Sequence, residues 1–340
     1  MRLTPCAVSE ATLAEAVQRL QRGGLVGMPT ETVYGLAADA DQADAVGRIF
    51  AAKGRPHDHP LIVHVAPLEA HPASAYAPVL HFADHIPPWA ARLIDAFWPG
   101  PLTLILPRRA GVATAAAGGQ STVGVRCPAH PVAQALLRAC AAAGIAGLAA
   151  PSANRFGRIS PTTATHVADE FSDHLTADEL LILDGGACSV GIESTIVDAS
   201  RAVPVLLRPG MLTVAELEQA AGLGFGHREA DAPRVSGSLE SHYAPRARLR
   251  LMTARDLQAA LDVLGPDAPH LAVFHRSPLR ISSPHVRTLR MADDAHAAAH
   301  TLFAALRTLD TPDTRLIWVE QPPDGPLWAG VLDRLTRAAA

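Results

Sequence analysis

The sequence predicts two α/β domains: a larger one around an open, twisted sheet of mixed strand direction, and a smaller one of the three-layer, Rossmann-like type. Three observations support this fold class. The chain has 340 residues, more than a single domain usually contains. Short apolar runs alternate with helical patterns up to residue 221, as in α/β folds. After a segment rich in Gly, Pro and charge, residues 222–237, a second alternation begins beyond Pro245.

The elements of the first domain follow from caps, apolar runs and breakers. Ser9 can cap the first helix, Gly23-Gly24 can end it, and Pro131 suits the first turn of a later helix. We expect helices at about residues 11–21, 41–52, 89–97, 130–142, 163–171 and 214–221. We expect strands at about residues 25–28, 61–65, 102–106, 122–126, 148–150, 180–183, 194–198 and 203–207.

The second domain is predicted from the same signals. Strands are expected at residues 249–252, 271–274, 286–290 and 316–320, and helices at residues 254–264, 294–309 and 327–337. This part contains no G-x-G-x-x-G, so a dinucleotide site there has no support. The predicted boundaries are residues 1–212 for the first domain, 213–246 for a helix and flexible linker, and 247–340 for the second domain.

Composition restricts the class of protein. The net charge is −4, so no general basic field is available to hold nucleic acid. No apolar run approaches the ~20 residues that span a bilayer, and residues 1–10 lack a signal-peptide pattern. We therefore expect a soluble, cytoplasmic protein without membrane contact. Cys6, Cys127, Cys140 and Cys188 form no C-x-x-C pair and are expected to be small core residues.

Lys53 is the only lysine among 29 basic residues. Because arginine has replaced lysine almost everywhere, we expect Lys53 to lie where a compact ammonium is needed. It stands in Lys53-Gly54-Arg55, and two cations on either side of a glycine suit phosphate capture. Ordinary capping of a helix C-terminus by basic residues is the alternative.

Polar loops follow several of the predicted strands. Residues 29–36 place two threonines and a glutamate after a strand, and residues 151–162 carry Ser, Asn and Thr side chains that can cradle phosphates. Residues 184–195 add paired glycines, and Arg208 stands at a strand end before Pro-Gly. Each loop alone is also explained by a capped, Asx or ST turn, so the functional prediction depends on their combination.

In combination, these segments resemble the YrdC-like domain of threonylcarbamoyl-AMP synthases. Ser236-Gly237 and residues 242–245 resemble the linker of the long form, which carries a second domain. The resemblance implies a YrdC-like fold with a large concave, positively lined cavity, joined to a Rossmann-like domain. The matching motifs, in order, are Thr30 to Leu36, Lys53-x-Arg55, Trp98 to Thr103, Arg126-x-Pro128-x-His130-Pro131, Ser152-Ala153-Asn154, Ser194-Thr195 and Arg208-Pro209-Gly210.

The resemblance implies a nucleotidyltransferase that forms threonylcarbamoyl-AMP and pyrophosphate from L-threonine, bicarbonate and ATP with Mg²⁺. It also implies that the product serves threonylcarbamoyl-adenosine modification of tRNA, after handover to a tRNA threonylcarbamoyl transferase. Lys53 and Arg55 are the implied catalytic residues. The implied threonine pocket consists of Thr32, His64, Arg126, Ser152 and Ser194. The implied ATP contacts are Lys53, Arg55, His59, Thr122, Asn154, Thr162, Arg208 and Tyr243, where His59 replaces an asparagine common in relatives.

Other interpretations come from different classes of protein. An RNA-binding or ribosome-associated module with weak RNA contact is one, but the acidic net charge and only 15 Phe, Trp and Tyr residues weigh against it. A carbamoyl-transfer domain is the second. A metal site at His296 and His300 is the third, and exposed histidines without a third ligand are the simpler interpretation. The linker around Tyr243 is a hypothetical lid over the cavity, because the carbamate product must be kept from water.

Overall fold

The computed structural model describes residues 2–67, 76–237 and 241–340. The chain divides into two units, and each unit consists of three separate segments of the sequence. The first unit contains Met1–Phe156, Pro161–Ser189 and Glu193–Ser238. The second contains Gly157–Ser160, Val190–Ile192 and Leu239–Ala340. The predicted linker, residues 213–246, includes residues 238–240, which lie outside the described residues.

A mixed sheet forms the centre of the first unit and has ten strands among the described residues. Its strand order is β1-β8-β2-β3-β7-β4-β6-β5-β9-β10, with parallel and antiparallel neighbours, which confirms the predicted mixed sheet. The strands are β1 Cys6–Ala7, β2 Leu25–Met28, β3 Gly35–Asp39, β4 Ile62–His64, β5 Leu102–Pro107, β6 Thr122–Arg126, β7 Leu148–Ala149, β8 Leu180–Asp184, β9 Thr195–Asp198 and β10 Val205–Arg208.

Helices of the first unit cover the sheet, and the first of them begins at the predicted Ser9 cap. Ser9 accepts the N–H of Thr12, and Thr163 and Thr213 cap two further helices in the same way. Their apolar faces contribute to a large buried cluster with the strands. The helices are α1 Glu10–Gln21, α2 Ala43–Lys53, α3 Ala77–Phe82, α4 Pro88–Phe97, α5 Pro131–Ala142, α6 Ala164–Phe171 and α7 Val214–Ala221.

The second unit contains a four-stranded sheet, counted over the part of the chain that is described, and all its strand pairs are parallel. Leu257 and Leu261 of one helix pack on Val273 and Trp318 of the sheet, while other helices contact each other. The strands are β11 Arg248–Met252, β12 Leu271–His275, β13 Arg287–Arg290 and β14 Leu316–Glu320. The helices are α8 Ala254–Leu264, α9 Ala295–Leu309 and α10 Ala329–Ala339, with a 3₁₀ turn at Pro326–Trp328.

The structure differs from the sequence-based expectation at several elements. Strands β1 and β3 and helix α3 were not predicted. Strand β3 has the sequence Gly-Leu-Ala-Ala-Asp and is buried on both faces, so it shows neither alternation nor β-branched residues. Helix α2 begins at Ala43 and not at residue 41, and the Asp41 carboxylate instead accepts the N–H of Ala113 and bonds to His81. The final helix begins only after the 3₁₀ turn.

Two predictions from composition can be compared with the structure. Cys127, Cys140 and Cys188 are buried as expected, and burial raises the pKa of each thiol to about 12, whereas Cys6 is half-buried. Within the described ranges, no helix is long and apolar enough to cross a membrane.

Candidate active site

Lys53 is the last residue of α2, which ends because Gly54 adopts the left-handed conformation at φ 62°. The Lys53 Nζ donates to the carbonyl oxygens of Ser152, at 2.6 Å, and of Asn154. Its side chain is buried, and burial together with the nearby charge of Arg55 holds the lysine pKa well below its ordinary value. The lone lysine is therefore a buried donor joined to the 151–162 loop.

Arg55 lies two residues beyond the helix end and is also buried. Its Nε donates to the carbonyl of His59 at 3.3 Å, and Nη2 donates to the carbonyl of Pro60 at 2.9 Å. Nη2 also reaches the hydroxyl of Ser236 at 3.4 Å. The guanidinium lies 5.5 Å from the centre of the Phe156 ring, and the His59 ring meets that ring edge-on. Burial and then the charge of Arg55 lower the pKa of His59.

Arg208 ends β10 and is held at both sides of its guanidinium. Nε and Nη2 donate to the carbonyl of Ser194 at 3.1 and 2.9 Å, and Nη1 donates to the carbonyl of Ser236 at 2.7 Å. The hydroxyl of Ser194 bonds in turn to the hydroxyl of Thr103 at 2.7 Å. Ser236 lies between the two arginines, because its hydroxyl contacts Arg55 and its carbonyl contacts Arg208. All of these residues belong to the first unit.

Arg126 ends β6 and joins a buried network with the loop after β2. Nη2 donates to Glu31 at 2.6 Å, Nη1 donates to the hydroxyl of Thr32 at 2.8 Å, and Nε donates to the carbonyl of Gly100 at 3.2 Å. The second carboxylate oxygen of Glu31 accepts the N–H of Ala129 at 3.0 Å. Glu31 therefore compensates the buried charge of Arg126.

The loop after β2 owes its shape to Thr30. The Thr30 hydroxyl accepts the N–H groups of Thr32 and Val33 at 3.2 Å and bonds to the Thr32 hydroxyl at 2.9 Å. It thus forms the hydroxyl-capped turn that the sequence allowed as an alternative. The turn also fixes the Thr32 hydroxyl beside Arg126, so the structural and functional interpretations are compatible.

His64 ends β4 in register with Arg126 of β6 and with Leu148 of β7. Its ring is buried, and its Nδ1 has no hydrogen-bond partner among the described residues. Burial, and then the charge of Arg126, lower the pKa of His64 to about 3. The histidine is therefore neutral in the folded protein.

The 151–162 loop and β6 supply the remaining predicted residues. Ser152 bridges Gly35 of β3, and the Thr162 hydroxyl lies 3.4 Å from Nδ1 of His166. Thr122 begins β6 and lines a narrow cleft. Gln120 and Ser236 line the same cleft.

Tyr243, a predicted ATP contact, belongs to the second unit. Its ring is buried 5.5 Å from Phe303 and 5.4 Å from the guanidinium of Arg334, and its backbone has a positive φ of 63°. The ring of His242 packs edge-on against it. The eight predicted ATP contacts are thus divided, with seven in the first unit and Tyr243 in the second.

His296 and His300 are exposed on α9. Across the described part of the chain, no group of three or more His, Cys, Asp or Glu residues could hold a metal ion.

Four residues of this site were not predicted as functional: Glu31, Thr103, Ser236 and Gln120. Three of them stand within the motifs quoted for the resemblance, so the motif itself was the available signal. Gln120 had no signal, since an isolated glutamine in a loop is ordinary. Its contacts are with Arg234, which is distant in the sequence and lies beside Gln120 only in the folded chain.

Two family models match consecutive parts of the chain. The first, Sua5_yciO_yrdC, is described as "Telomere recombination" and matches residues 18–210. The second is described as "Threonylcarbamoyl-AMP synthase, C-terminal domain" and matches residues 212–340.

Whole-length relatives share the same name. The threonylcarbamoyl-AMP synthase of Pyrococcus abyssi is 35% identical over 98% of this chain and 95% of its own length. That of Bacillus subtilis is 33% identical over 97% of this chain and 94% of its own length.

Two solved structures are similar over nearly the whole chain. P. abyssi Sua5 complexed with L-threonine has a TM-score of 0.85 and 34% identity, and covers 99% of this chain and 98% of its own. A P. abyssi Sua5 variant with adjacent histidine and tyrosine replaced by alanine has the same TM-score, 32% identity, and 99% and 96% coverage.

Proposed function

This chain belongs to the threonylcarbamoyl-AMP synthase family, in its long two-domain form, and from this premise we propose how its residues carry out the reaction. The enzyme is an ATP-using nucleotidyltransferase that makes threonylcarbamoyl-AMP for tRNA modification. One observation carries the site assignment. Lys53, Arg55, Arg126 and Arg208 are all buried in the first unit, where four cationic side chains can hold anionic substrates.

We assign the threonine pocket to the network around Arg126. The substrate of the family is supported by the L-threonine complex of P. abyssi Sua5. Thr32 and His64 are close to Arg126 in this chain, through a hydrogen bond and through strand register. Three of the five N–H groups of the Arg126 guanidinium donate to protein acceptors, and the other two can donate to a carboxylate. Ser152 and Ser194 complete the proposed pocket.

We assign the triphosphate to the cationic side of the site. Lys53, Arg55 and Arg208 would offset the phosphate charge, because cationic groups in a buried site attract anions more strongly than they do in water. Hydroxyl and amide groups would add uncharged donors, and His59 would donate from its neutral ring. The further proposed ATP contacts are Thr122, Asn154, Thr162 and Tyr243. For Tyr243, the support is the resemblance of residues 242–245 to the long-form linker.

Mg²⁺ is proposed to enter as part of the MgATP substrate. The described residues offer no carboxylate cluster for a resident metal, so phosphate oxygens and water would supply most of its ligands. When bound, the ion would stabilise charge on the departing pyrophosphate.

The proposed reaction places the chemistry on the substrates. The neutral amine of threonine attacks CO₂ from bicarbonate, loses a proton and becomes an N-carboxylate. A carboxylate oxygen then forms a bond to the α-phosphorus of ATP, and the bond to the pyrophosphate oxygen breaks. The protein contributes positioning and charge stabilisation through the buried cations. No covalent enzyme intermediate is required.

Handover of the product to a tRNA threonylcarbamoyl transferase and residence in the cytoplasm are proposed from the family resemblance. The RNA-binding and carbamoyl-transfer alternatives are not favoured, since the full-length relatives carry the synthase name.

The test is pyrophosphate release from MgATP, with threonine and bicarbonate omitted in turn. Release that requires both small substrates, together with mass-spectrometric detection of threonylcarbamoyl-AMP, is the expected result. Release that is indifferent to threonine would refute the proposed function, and salt-dependent tRNA affinity without turnover would favour the RNA-binding alternative.

A further inference from the structure

The described residues 226–237, which we call the strap, form no helix or strand yet are attached to the first unit along their length. Gly226 forms a bridge with Val205 of β10. Arg201 forms ion pairs with Glu229 at 2.7 Å and Asp231 at 3.0 Å. The strap is therefore held in one position at its start, well before it reaches the site.

Gln120 holds the part of the strap nearest the site. Its Nε2 donates to the carbonyl of Arg234 at 3.0 Å, and its Oε1 accepts the N–H of Arg234 at 2.8 Å. One side-chain amide thus pairs with both backbone groups of one residue, as a neighbouring strand would. Such a pair of hydrogen bonds fixes the backbone in position and direction.

Asp58 fixes the same residue through its side chain. The Asp58 carboxylate pairs with the guanidinium of Arg234 at 2.8 Å. The next residue, Val235, packs with Ile105 and Leu207 in a buried apolar cluster. Ser236 then follows between Arg55 and Arg208. Because adjacent residues of an extended chain are only about 3.5 Å apart, fixing residue 234 and burying the Val235 side chain keep residue 236 close to its position.

Arg208 depends on this placement. Two of its nitrogen atoms are held by the Ser194 carbonyl, while Nη1 is directed to the Ser236 carbonyl. If the strap moved away, the Arg208 Nη1 and the Arg55 Nη2 would each lose a named acceptor. Long cationic side chains that lose such contacts regain rotamer freedom, which weakens a preorganised phosphate site.

We propose that Gln120 is a positioning residue, which holds Arg234 so that Ser236 fixes Arg55 and Arg208 for ATP. The proposal rests on the function proposed above. Gln120 itself touches no reacting atom. Its effect should therefore appear on the ATP side of the kinetics and not on the threonine side.

The chain contains a matched control for this contact. In the second unit, Gln258 Nε2 donates to the carbonyl of Arg280 at 3.1 Å and Oε1 accepts the Arg280 N–H at 2.9 Å. Gln258→Ala thus removes the same pair of hydrogen bonds from a different arginine. Both arginines are trypsin cleavage sites, so release of each segment can be measured by the appearance of its peptide.

The experiment compares wild type, Gln120→Ala, Gln120→Glu and Gln258→Ala by limited trypsin digestion and by steady-state kinetics. For Gln120→Ala we expect cleavage after Arg234 to rise about tenfold, the KM for ATP to rise about tenfold, and the KM for threonine to stay within about twofold. Gln120→Glu keeps the acceptor for the Arg234 N–H and should show a smaller effect. Gln258→Ala should accelerate cleavage after Arg280 only.

Several outcomes would overturn the proposal. Unchanged cleavage after Arg234 in Gln120→Ala would show that Gln120 does not hold the strap. Faster cleavage with an unchanged KM for ATP would show that the strap does not position the arginines, and a lower KM would show that it competes with ATP. If wild type fails to need threonine, the proposed function fails, whereas the digestion result still tests the attachment by Gln120.

Discussion

The Nζ of Lys53 donates to the carbonyl oxygen of Ser152 over 2.6 Å. This bond joins the C-terminus of α2 to the loop that carries Ser152 and Asn154, two predicted substrate contacts. The ammonium is fully buried and approaches a second carbonyl on the same loop. A compact donor on a flexible stem fits between two carbonyls, whereas a planar guanidinium is larger and needs a fork of acceptors.

Lys53→Arg is expected to lower kcat/KM for ATP by about 100-fold. The larger guanidinium would displace the 151–162 loop, and the positive charge would no longer lie where the phosphates are expected to bind. Pyrophosphate release under saturating threonine measures the effect. Arg48→Lys on the same helix is the control, since Arg48 contacts the carbonyl of Gly23 outside the site. Comparable loss in both variants would show that the effect is not specific to Lys53.

Glu31→Gln is expected to raise the KM for threonine about tenfold and to leave the KM for ATP nearly unchanged. The substitution keeps an acceptor for Ala129 but removes the ion pair that orients the Arg126 guanidinium for the threonine carboxylate, and it leaves the buried charge of Arg126 uncompensated in the free protein. It should also destabilise the fold by about 3 kcal/mol. Steady-state kinetics, with threonine and ATP varied in turn, and denaturant unfolding measure the two effects separately. A selective effect on ATP would place Arg126 outside the threonine pocket.

His64 should make the protein sensitive to acid. Its pKa is about 3 in the folded state against an ordinary 6.5, so on acidification the unfolded chain takes up a proton first. Stability from this residue is complete above about pH 6.5 and falls progressively toward pH 3. Between pH 7.5 and 5.0 the loss is about 2 kcal/mol.

Denaturant unfolding at these two pH values tests this expectation. His64→Gln should lose less stability on acidification than wild type, whereas exposed His300→Gln should match wild type. Equal pH dependence in all three proteins would contradict the assignment.

Gly118→Ala is expected to destabilise the protein more than Gly119→Ala. Both glycines have positive φ, 58° and 78°, so an alanine is strained at either. Only at Gly118 would the new Cβ lie 2.8 Å from the carbonyl oxygen of Asp58, while at Gly119 nothing lies within 4 Å. The difference in free energy of unfolding should be about 1 kcal/mol or more. Equal costs would mean that the 58–60 loop moves freely.

His59→Asn should change the KM for ATP by less than about threefold at pH 7.5. The contact of His59 with Arg55 uses its backbone carbonyl, which any residue retains, and asparagine can replace the single donor of the neutral ring. Kinetics between pH 6 and 8 provide the measurement. A tenfold rise would indicate that the imidazole itself has a contact that asparagine cannot make.

Much of the fold could be predicted from the sequence because local signals agreed with the final elements. Helix α1 begins at the Ser9 cap, and α7 and α8 have the predicted bounds. Strand β3 was missed because burial on both faces removes alternation, and its Gly and Ala residues have weak strand preference. Tertiary packing, and not local propensity, makes it a strand.

The amino-acid sequence by itself determined the family of this protein, the order of most of its elements and the polar loops that follow its strands. These features depend on residue type and spacing, which are visible along the chain. The tertiary structure alone decided that Glu31 compensates Arg126 and that Gln120 pairs with Arg234. Those contacts join residues about a hundred positions apart, and the packing of the sheet brings them together, so no local pattern could encode them.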